Sequence, residues 1–147
     1  MKIPISALLA QKDPTVRWVS TQATAHDAVA IMAAHRIGCV CVLEGEQLVG
    51  IFTERDVLTR VVAAGLDSRE TPVARVMTPR PFTVEPSLPL DRAMSLISEK
   101  RMRHLPVVDG GRLVGLISIG DVNKWVVERL QREADSLRSY ISGQYPN

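Results

Sequence analysis

The chain has 147 residues, of which 46% are hydrophobic and 23% charged, and its formal net charge is +2. This length suffices for one domain with a core of its own, or for two small halves that share one. The small net charge and the scattered lysines and arginines argue against nucleic acid as a partner. No apolar run reaches the roughly 18 residues of a membrane-spanning helix, so we expect no membrane partner either.

Residues 1–14 form a lead-in, and the pattern of residues 15–65 then predicts strands and helices in alternation. A strand WVS precedes a helix AHDAVAIMAAHRI, and a turn at Glu44-Gly45-Glu46 joins the strands CVCVLE and QLVGIFT. The stretch ERDVLTRVVAA predicts a second helix that ends near Gly65. The order in this half is β-α-β-β-α.

Residues 66–79 are richer in turn formers and predict a linker with a single helical turn after Thr71-Pro72. Residues 80–125 then repeat the order of the first half. PFTVE predicts a strand and SLPLDRAMSLISEKRM a helix, and the strands HLPVVD and RLVGLIS flank the hairpin signal Asp109-Gly110-Gly111.

Residues 126–147 continue a helix of about 22 residues that starts after Asp121 and runs towards Gly143. Its apolar residues fall close to one narrow stripe, and the reverse face is heavily charged. A stripe of this kind favours packing along a partner, so we predict a homodimer to which this helix contributes. The stripe contains Val122, Val126, Leu130, Ala134, Leu137 and Ile141.

The two halves repeat the same phrase at a spacing of 65 positions. Residues 50–56 read GIFTERD and residues 115–121 read GLISIGD, and the same shift aligns the preceding strands and helix without a gap. Two copies indicate one compact α/β unit in which each half buries its apolar face against the other.

The cysteines and histidines carry little chemistry in this pattern. Cys39 and Cys41 are interpreted as small buried apolar residues in a reducing compartment, which makes the cytoplasm the default location. His26 and His35 lack the spacing of a metal cluster, so we predict no metal site.

The paired units, each ending in G-h-h-[S/T]-x-x-D, together with RHLPVVDGGRLVGLIS and RVMTPRPFTVEPSLPL, resemble a pair of cystathionine-β-synthase-type (CBS) domains, the Bateman module. The resemblance implies an α/β (α+β) fold of two tandem β-α-β-β-α CBS repeats related by a pseudo-twofold axis, plus a long C-terminal helix. It also implies a stand-alone, non-enzymatic regulatory protein. Such proteins bind adenosine-containing ligands (AMP, ADP, ATP, S-adenosylmethionine or NAD-type dinucleotides such as NADH) in clefts between the repeats.

The physics of the repeated motif agrees with this use. A carboxylate at a helix start, as at Asp56 and Asp121, can accept hydrogen bonds from both hydroxyls of a ribose. The hydroxyl three residues earlier lies where the N-terminus of the helix favours a phosphate. The same residues are also ordinary helix caps, which stabilise a helix without any ligand.

The resemblance implies that each cleft is completed by the other repeat. The first cleft would contain Thr53, Glu54, Arg55, Asp56, Phe82, Thr83, Met102, Arg103 and His104. The second would contain Ser118, Asp121, Arg17, Trp18, Ile37, Gly38 and Cys39.

The two clefts differ in their cations. Arg103 and His104 would meet phosphate in the first cleft, whereas the second has Gly38 and Cys39 at those places, with Arg17 and the nearby Lys12 and His35-Arg36 as substitutes. The sequence therefore ranks the Asp56 cleft as the better site for a phosphorylated ligand.

We expect a homodimeric, energy-sensing type of regulator that needs no cofactor and acts on an unidentified protein. No nucleophile, base and orienting group come together in the pattern, so an enzyme is not predicted. The alternative is a dimeric interaction or scaffold protein whose degenerate clefts bind nothing.

Overall fold

The computed structural model describes residues 2–13 and 15–143. It is a mixed α and β structure with two similar halves and a long C-terminal helix, as predicted. The helices are α1 (Ile5–Gln11), α2 (Ala25–His35), α3 (Glu54–Asp56), α4 (Val73–Val76), α5 (Leu90–Glu99) and α6 (Ile119–Ile141). The strands are β1 (Trp18–Ser20), β2 (Cys39–Glu44), β3 (Gln47–Thr53), β4 (Thr78–Pro79), β5 (His104–Asp109) and β6 (Arg112–Ser118).

The repeat of the sequence is also a repeat of backbone detail. Strands β2 and β3 pair antiparallel with a bulge between Val42 and Leu43, and β5 and β6 carry the same bulge between Val107 and Val108. The helix that precedes each hairpin is followed by a left-handed residue, Arg36 in the first half and Arg101 in the second. The 65-residue shift therefore reproduces irregular features as well as regular ones.

Two details differ from the sequence-based prediction. PFTVE does not form a strand, and its pairing is limited to one parallel bridge from Val84 to Val107. Pro81 and Pro86 flank Val84, and prolines limit a longer ladder because they lack an N–H donor. The helix predicted from ERDVLTRVVAA begins as the short α3 and continues as a π-helix over Val57–Val62. In this segment the Ala63 N–H donates to the Leu58 carbonyl five residues earlier.

Each half is completed by a segment that lies outside the repeat. Helix α4, the single turn predicted after Thr71-Pro72, packs on the first half, where the Val73 N–H donates to the Ala23 carbonyl at 2.9 Å. Helix α1 packs on the second half, where the Ile5 N–H donates to the Leu88 carbonyl at 2.8 Å. The start of the chain thus reaches over to the second half, while the linker stays with the first.

The cores of the two halves are separate clusters of buried apolar side chains, and strands β3 and β6 contact each other where the halves meet. Cys39 and Cys41 are buried and reduced in β2, as predicted. Within the described part of the chain, no helix has both the length and the apolar content needed to cross a membrane.

Candidate functional site

Both repeated motifs form the same strand-to-helix corner. The Asp121 N–H donates to Ser118 Oγ at 3.1 Å, and the Ser118 N–H donates to Asp121 Oδ2 at 2.8 Å. The corresponding distances between Asp56 and Thr53 are 3.2 and 3.0 Å. Each motif is therefore a reciprocal capping box that begins a helix. The capping role foreseen for these residues is real, and it fixes the orientation of each carboxylate.

A cavity of about 580 Å³ lies beside the Asp121 corner, between the two halves. It brings together all residues predicted for the second cleft except Trp18, which is not among its lining residues and is 51% exposed. The lining residues are Leu9, Lys12, Asp13, Thr15, Val16, Arg17, His35, Arg36, Ile37, Gly38, Cys39, His104, Val114, Gly115, Leu116, Ser118 and Asp121.

Lys12 forms an ion pair with the carboxylate of Asp121 at the edge of this cavity. Its Nζ lies 2.6 Å from Asp121 Oδ2 and also donates to the Leu116 carbonyl at 2.6 Å. Burial alone raises the pKa of the Asp121 carboxyl, but the hydrogen bonds from Lys12 and Ser118 and the charge of Lys12 outweigh burial and bring the pKa below its usual value. Asp121 is therefore ionised and ready to accept hydrogen bonds at neutral pH.

His104, predicted for the first cleft, lines the Asp121 cavity instead. It begins β5 and pairs across the hairpin with Ser118, the residue that caps α6. Burial, followed by the charge of Lys12, lowers the pKa of its imidazole, and the nearby Asp121 and Glu54 only partly oppose this. The histidine is consequently neutral at physiological pH.

Asp56, the counterpart of Asp121, is enclosed. It is only 5% exposed, and Thr78 Oγ1 donates to its two oxygens at 3.1 and 3.2 Å. Thr53 donates to it through both N–H and hydroxyl, and Arg60 Nε lies 3.5 Å from Asp56 Oδ1. The protein itself thus supplies the hydrogen bonds that a ribose was predicted to make.

The other residues predicted for the first cleft are spread over several places. Arg55, Met102 and Arg103 line a separate groove of about 500 Å³ between α5 and the start of α6. Glu54 lies close to Gly38, and Phe82 is 40% exposed with Lys100 Nζ 4.5 Å from the centre of its ring. Thr83 is exposed as well. Neither of these two cavities has Asp56 among its lining residues.

The glycines of the two motifs serve close packing. A side chain on Gly50 would overlap the Met77 sulfur and meet the Thr78 carbonyl at 3.0 Å, and one on Gly115 would approach Leu9 Cδ2 to 2.8 Å. Met77 directly follows α4, and Leu9 lies in α1. The absence of a side chain at Gly50 and Gly115 therefore lets these two segments pack closely on the strands.

The buried thiol of Cys39 at the cavity is unreactive. Burial, with smaller contributions from Cys41 and Asp56, raises the pKa of Cys39, and burial raises the pKa of Cys41 to about 12. Cys39 therefore contributes an apolar surface to the cavity and not a nucleophile.

Comparison with known proteins places this geometry in a family. The family model for the CBS domain matches residues 9–63 and 73–128. The mitochondrial CBS domain-containing protein CBSX3 of Arabidopsis thaliana is 40% identical over 133 residues, which cover 87% of this chain and 65% of that protein, slightly less than two thirds of its length.

Two solved structures have the same fold. A Burkholderia ambifaria protein with CBS domains is 41% identical, with a TM-score of 0.82 and coverage of 86% of this chain and 95% of that one. A CBS domain protein of Pyrobaculum aerophilum complexed with AMP is 32% identical, with a TM-score of 0.73 and coverage of 81% and 89%. With two matched domains and these relatives, the chain belongs to the CBS-domain family and carries two CBS domains in tandem.

Proposed function

We propose that this protein is a non-enzymatic regulatory module that binds an adenosine-containing ligand in the cavity beside Asp121. The observation that carries the proposal is the arrangement of an ionised carboxylate and a capped helix start on one wall of an open cavity, with Ile37, Gly38 and Cys39 lining it as well. A volume of about 580 Å³ lies within the range of small-molecule sites. The AMP complex of the Pyrobaculum aerophilum relative supports the same ligand class.

The charges of the cavity favour a phosphorylated ligand. Lys12, Arg17 and Arg36 line it together with the acids Asp13 and Asp121. If the two ribose hydroxyls take the place of the lysine at Asp121, the Lys12 ammonium and the Arg17 guanidinium become available to phosphate oxygens, with which Arg forms bidentate contacts. Charge thus selects AMP, ADP, ATP or a dinucleotide over adenosine.

The Asp56 cleft comes second in this proposal, which reverses the ranking drawn from sequence. A ribose could reach Asp56 only after Thr78 releases it, and Thr78 lies in β4, which is paired with β3. The cost of breaking these contacts lowers the affinity of that cleft. Its residues remain candidates for a weaker second site.

Ligand binding has a direct route to the rest of the molecule. Lys12 follows α1, which packs on both the second half and α6. Displacing Lys12 from Asp121 loosens one of the contacts that hold this segment. Where α1 and α6 can adopt two arrangements, a ligand shifts the equilibrium between them by the difference in its affinity for the two. We propose a cytoplasmic sensor of adenine nucleotides that passes this change to an unidentified protein.

A homodimer is the proposed working unit. Leu58 and Val62 of the π-helix are each 64% exposed, and further apolar side chains are exposed on the second half of α6. Exposed large apolar side chains on both elements support an interface with another chain. The second candidate function, a dimeric scaffold with ligand-free clefts, is favoured by the Lys12–Asp121 ion pair, because it satisfies the carboxylate without a ligand.

Calorimetry with AMP, ADP, ATP, NADH, S-adenosylmethionine and adenosine tests the proposal on the intact chain. A ligand at one hundred times its dissociation constant should raise the free energy of unfolding by about 2.7 kcal/mol, which thermal unfolding will report. Phosphorylated ligands should bind more tightly than adenosine. Absence of heat and of stabilisation with every compound would favour the scaffold instead.

A further inference from the structure

The second half of α6 extends away from the rest of the molecule. In α6 only Val122 and Trp125 are buried, whereas Leu130, Leu137 and Ile141 are 59, 62 and 77% exposed. At 1.5 Å per residue, the stretch from residue 127 to residue 141 is about 22 Å long. The sequence alone had placed Val122 in one stripe with these residues, but the structure assigns Val122 to the core of the second half.

The exposed apolar residues of this stretch have the spacing of a coiled coil. Val127, Leu130, Ala134, Leu137 and Ile141 follow one another at steps of three, four, three and four residues. These steps put Val127, Ala134 and Ile141 at heptad position a, and Leu130 and Leu137 at position d. A seam of this kind fits a second helix of the same kind, and a second copy of this chain supplies one.

The flanking charges set the direction of the partner helix. Glu133 occupies position g and Arg138 the following position e, and both are exposed. In a parallel pair, g of one helix faces the next e of the other, so Glu133 meets Arg138 of the second copy, twice by symmetry. In an antiparallel pair that sets Ala134 against Leu137, Glu133 would face Tyr140 and Arg138 would face Gln131, so neither charge would meet its opposite.

We propose that the second halves of α6 from two copies form a parallel, in-register coiled coil with both CBS modules at the same end. The inference rests on the homodimer proposed above and adds its orientation. Two heptads are short for an isolated coiled coil, so the helix pair strengthens a dimer that also uses the surface around Leu58 and Val62. A parallel pair transmits a displacement of α1 and α6 in one module to the other module through the adjoining helix.

Cysteine cross-linking tests the orientation on the full chain, because the native Cys39 and Cys41 are buried and will not compete. Leu137→Cys puts a thiol at position d, where equivalent residues meet in a parallel pair, and Arg132→Cys is the matched control at the outward position f. After mild oxidation we expect a covalent dimer from Leu137→Cys and none from Arg132→Cys. If Leu137→Cys links only when mixed with Ala134→Cys, the pair is antiparallel and the proposal is wrong.

Charge reversal gives an independent test. Glu133→Arg and Arg138→Glu should each weaken self-association, and a mixture of the two should form heterodimers well above the statistical proportion, because both pairs then become opposite in charge. Leu130→Glu should raise the dimer dissociation constant by at least about ten-fold, because it places a charge in the apolar seam. An unchanged dimer in Leu130→Glu would overturn the coiled coil alone, whereas a monomeric wild type in light scattering would overturn the dimer as well. Neither result bears on the nucleotide calorimetry.

Discussion

Asp56 and Asp121 occupy equivalent corners of the two repeats, with the same reciprocal caps, but their surroundings differ. Asp121 borders an open cavity and is held by a lysine, whereas Asp56 is buried under the hydroxyl of Thr78. The difference comes from segments outside the repeat, because Lys12 follows α1 and Thr78 follows α4. A duplicated half-domain can thus keep one local structure and acquire two chemical states through what packs on it.

The largest loss of stability should come from adding a side chain at the glycines on which these segments pack. Gly50→Ala should lower the free energy of unfolding by about 1–3 kcal/mol, because the new methyl group overlaps Met77 and presses on the Thr78 carbonyl. Gly115→Ala should cost less, because its neighbour is the end of the Leu9 side chain, which can move. Urea unfolding measures both.

Gly120→Ala is the control for this pair, since its nearest neighbour, Ser118 Oγ, lies at an ordinary 3.6 Å and the residue is helical. We expect no loss there, and a small gain is consistent with helix propensity. Equal costs at all three glycines would mean that α1 and the linker do not sit as closely as described.

The second prediction compares the carboxylates directly. Asp121→Asn should weaken AMP binding by about ten-fold or more, equivalent to about 1.4 kcal/mol, because the amide cannot accept two hydrogen bonds from a ribose as a charged group does. Asp56→Asn should change the affinity little, because Thr78 already occupies that carboxylate. Isothermal titration calorimetry gives both dissociation constants.

Asp27→Asn controls for the loss of a helix cap. Asp27 forms the same reciprocal box with Thr24 at the start of α2, but it lines neither of the two cavities described above. The affinity of this variant for AMP should equal that of the wild type. A larger loss in Asp56→Asn than in Asp121→Asn would restore the order that the sequence suggested.

The repeat made most of the fold predictable. An ungapped shift of 65 residues indicated two similar halves, and the hairpins at Glu44-Gly45-Glu46 and Asp109-Gly110-Gly111 formed where expected. The missing strand at PFTVE and the π-helix after α3 were not predictable. Both depend on which backbone hydrogen bonds form, and this choice does not change the periodic pattern of apolar residues in the sequence.

The candidate site was predictable only in part. Gly38 and Cys39 line the cavity with Ser118 and Asp121 as the resemblance to CBS domains implied, whereas Lys12 was named merely as a nearby cation and Thr78 was not considered. Contacts between segments distant in sequence depend on packing that no local pattern encodes. The position of His104 could have been deduced from the hairpin register, which pairs it with Ser118.

The third prediction concerns the ion pair between Lys12 and Asp121 and its dependence on pH. Lys12→Met should lower stability at pH 6 by up to about 1 kcal/mol, as expected of a partly exposed ion pair. Because the folded-state pKa of Asp121 is below its usual value, this contribution is present above about pH 4 and is lost as Asp121 becomes protonated at lower pH. The stability difference between wild type and variant should therefore shrink on acidification.

Salt provides the matching control. The cost of Lys12→Met should fall in about 1 M NaCl, whereas the cost of Thr78→Val, which removes a hydrogen bond from an uncharged hydroxyl to the buried Asp56, should change less. If both variants respond equally to salt, the Lys12 contact to Asp121 and the Thr78 contact to Asp56 do not differ in electrostatic character.

The smallest effect should arise at His104. Because burial and Lys12 lower the pKa of His104 in the folded state, the unfolded chain takes up its proton first as the pH falls below the usual imidazole value of about 6.5. The stability that the neutral imidazole of His104 contributes is fully present above that pH and is lost as the pH falls towards the folded-state pKa. His104→Gln should therefore lose less stability than the wild type between about pH 7.5 and pH 5.5, as measured by urea unfolding. An identical decline in both proteins would mean that His104 lies in a more solvated place than the wall of the Asp121 cavity.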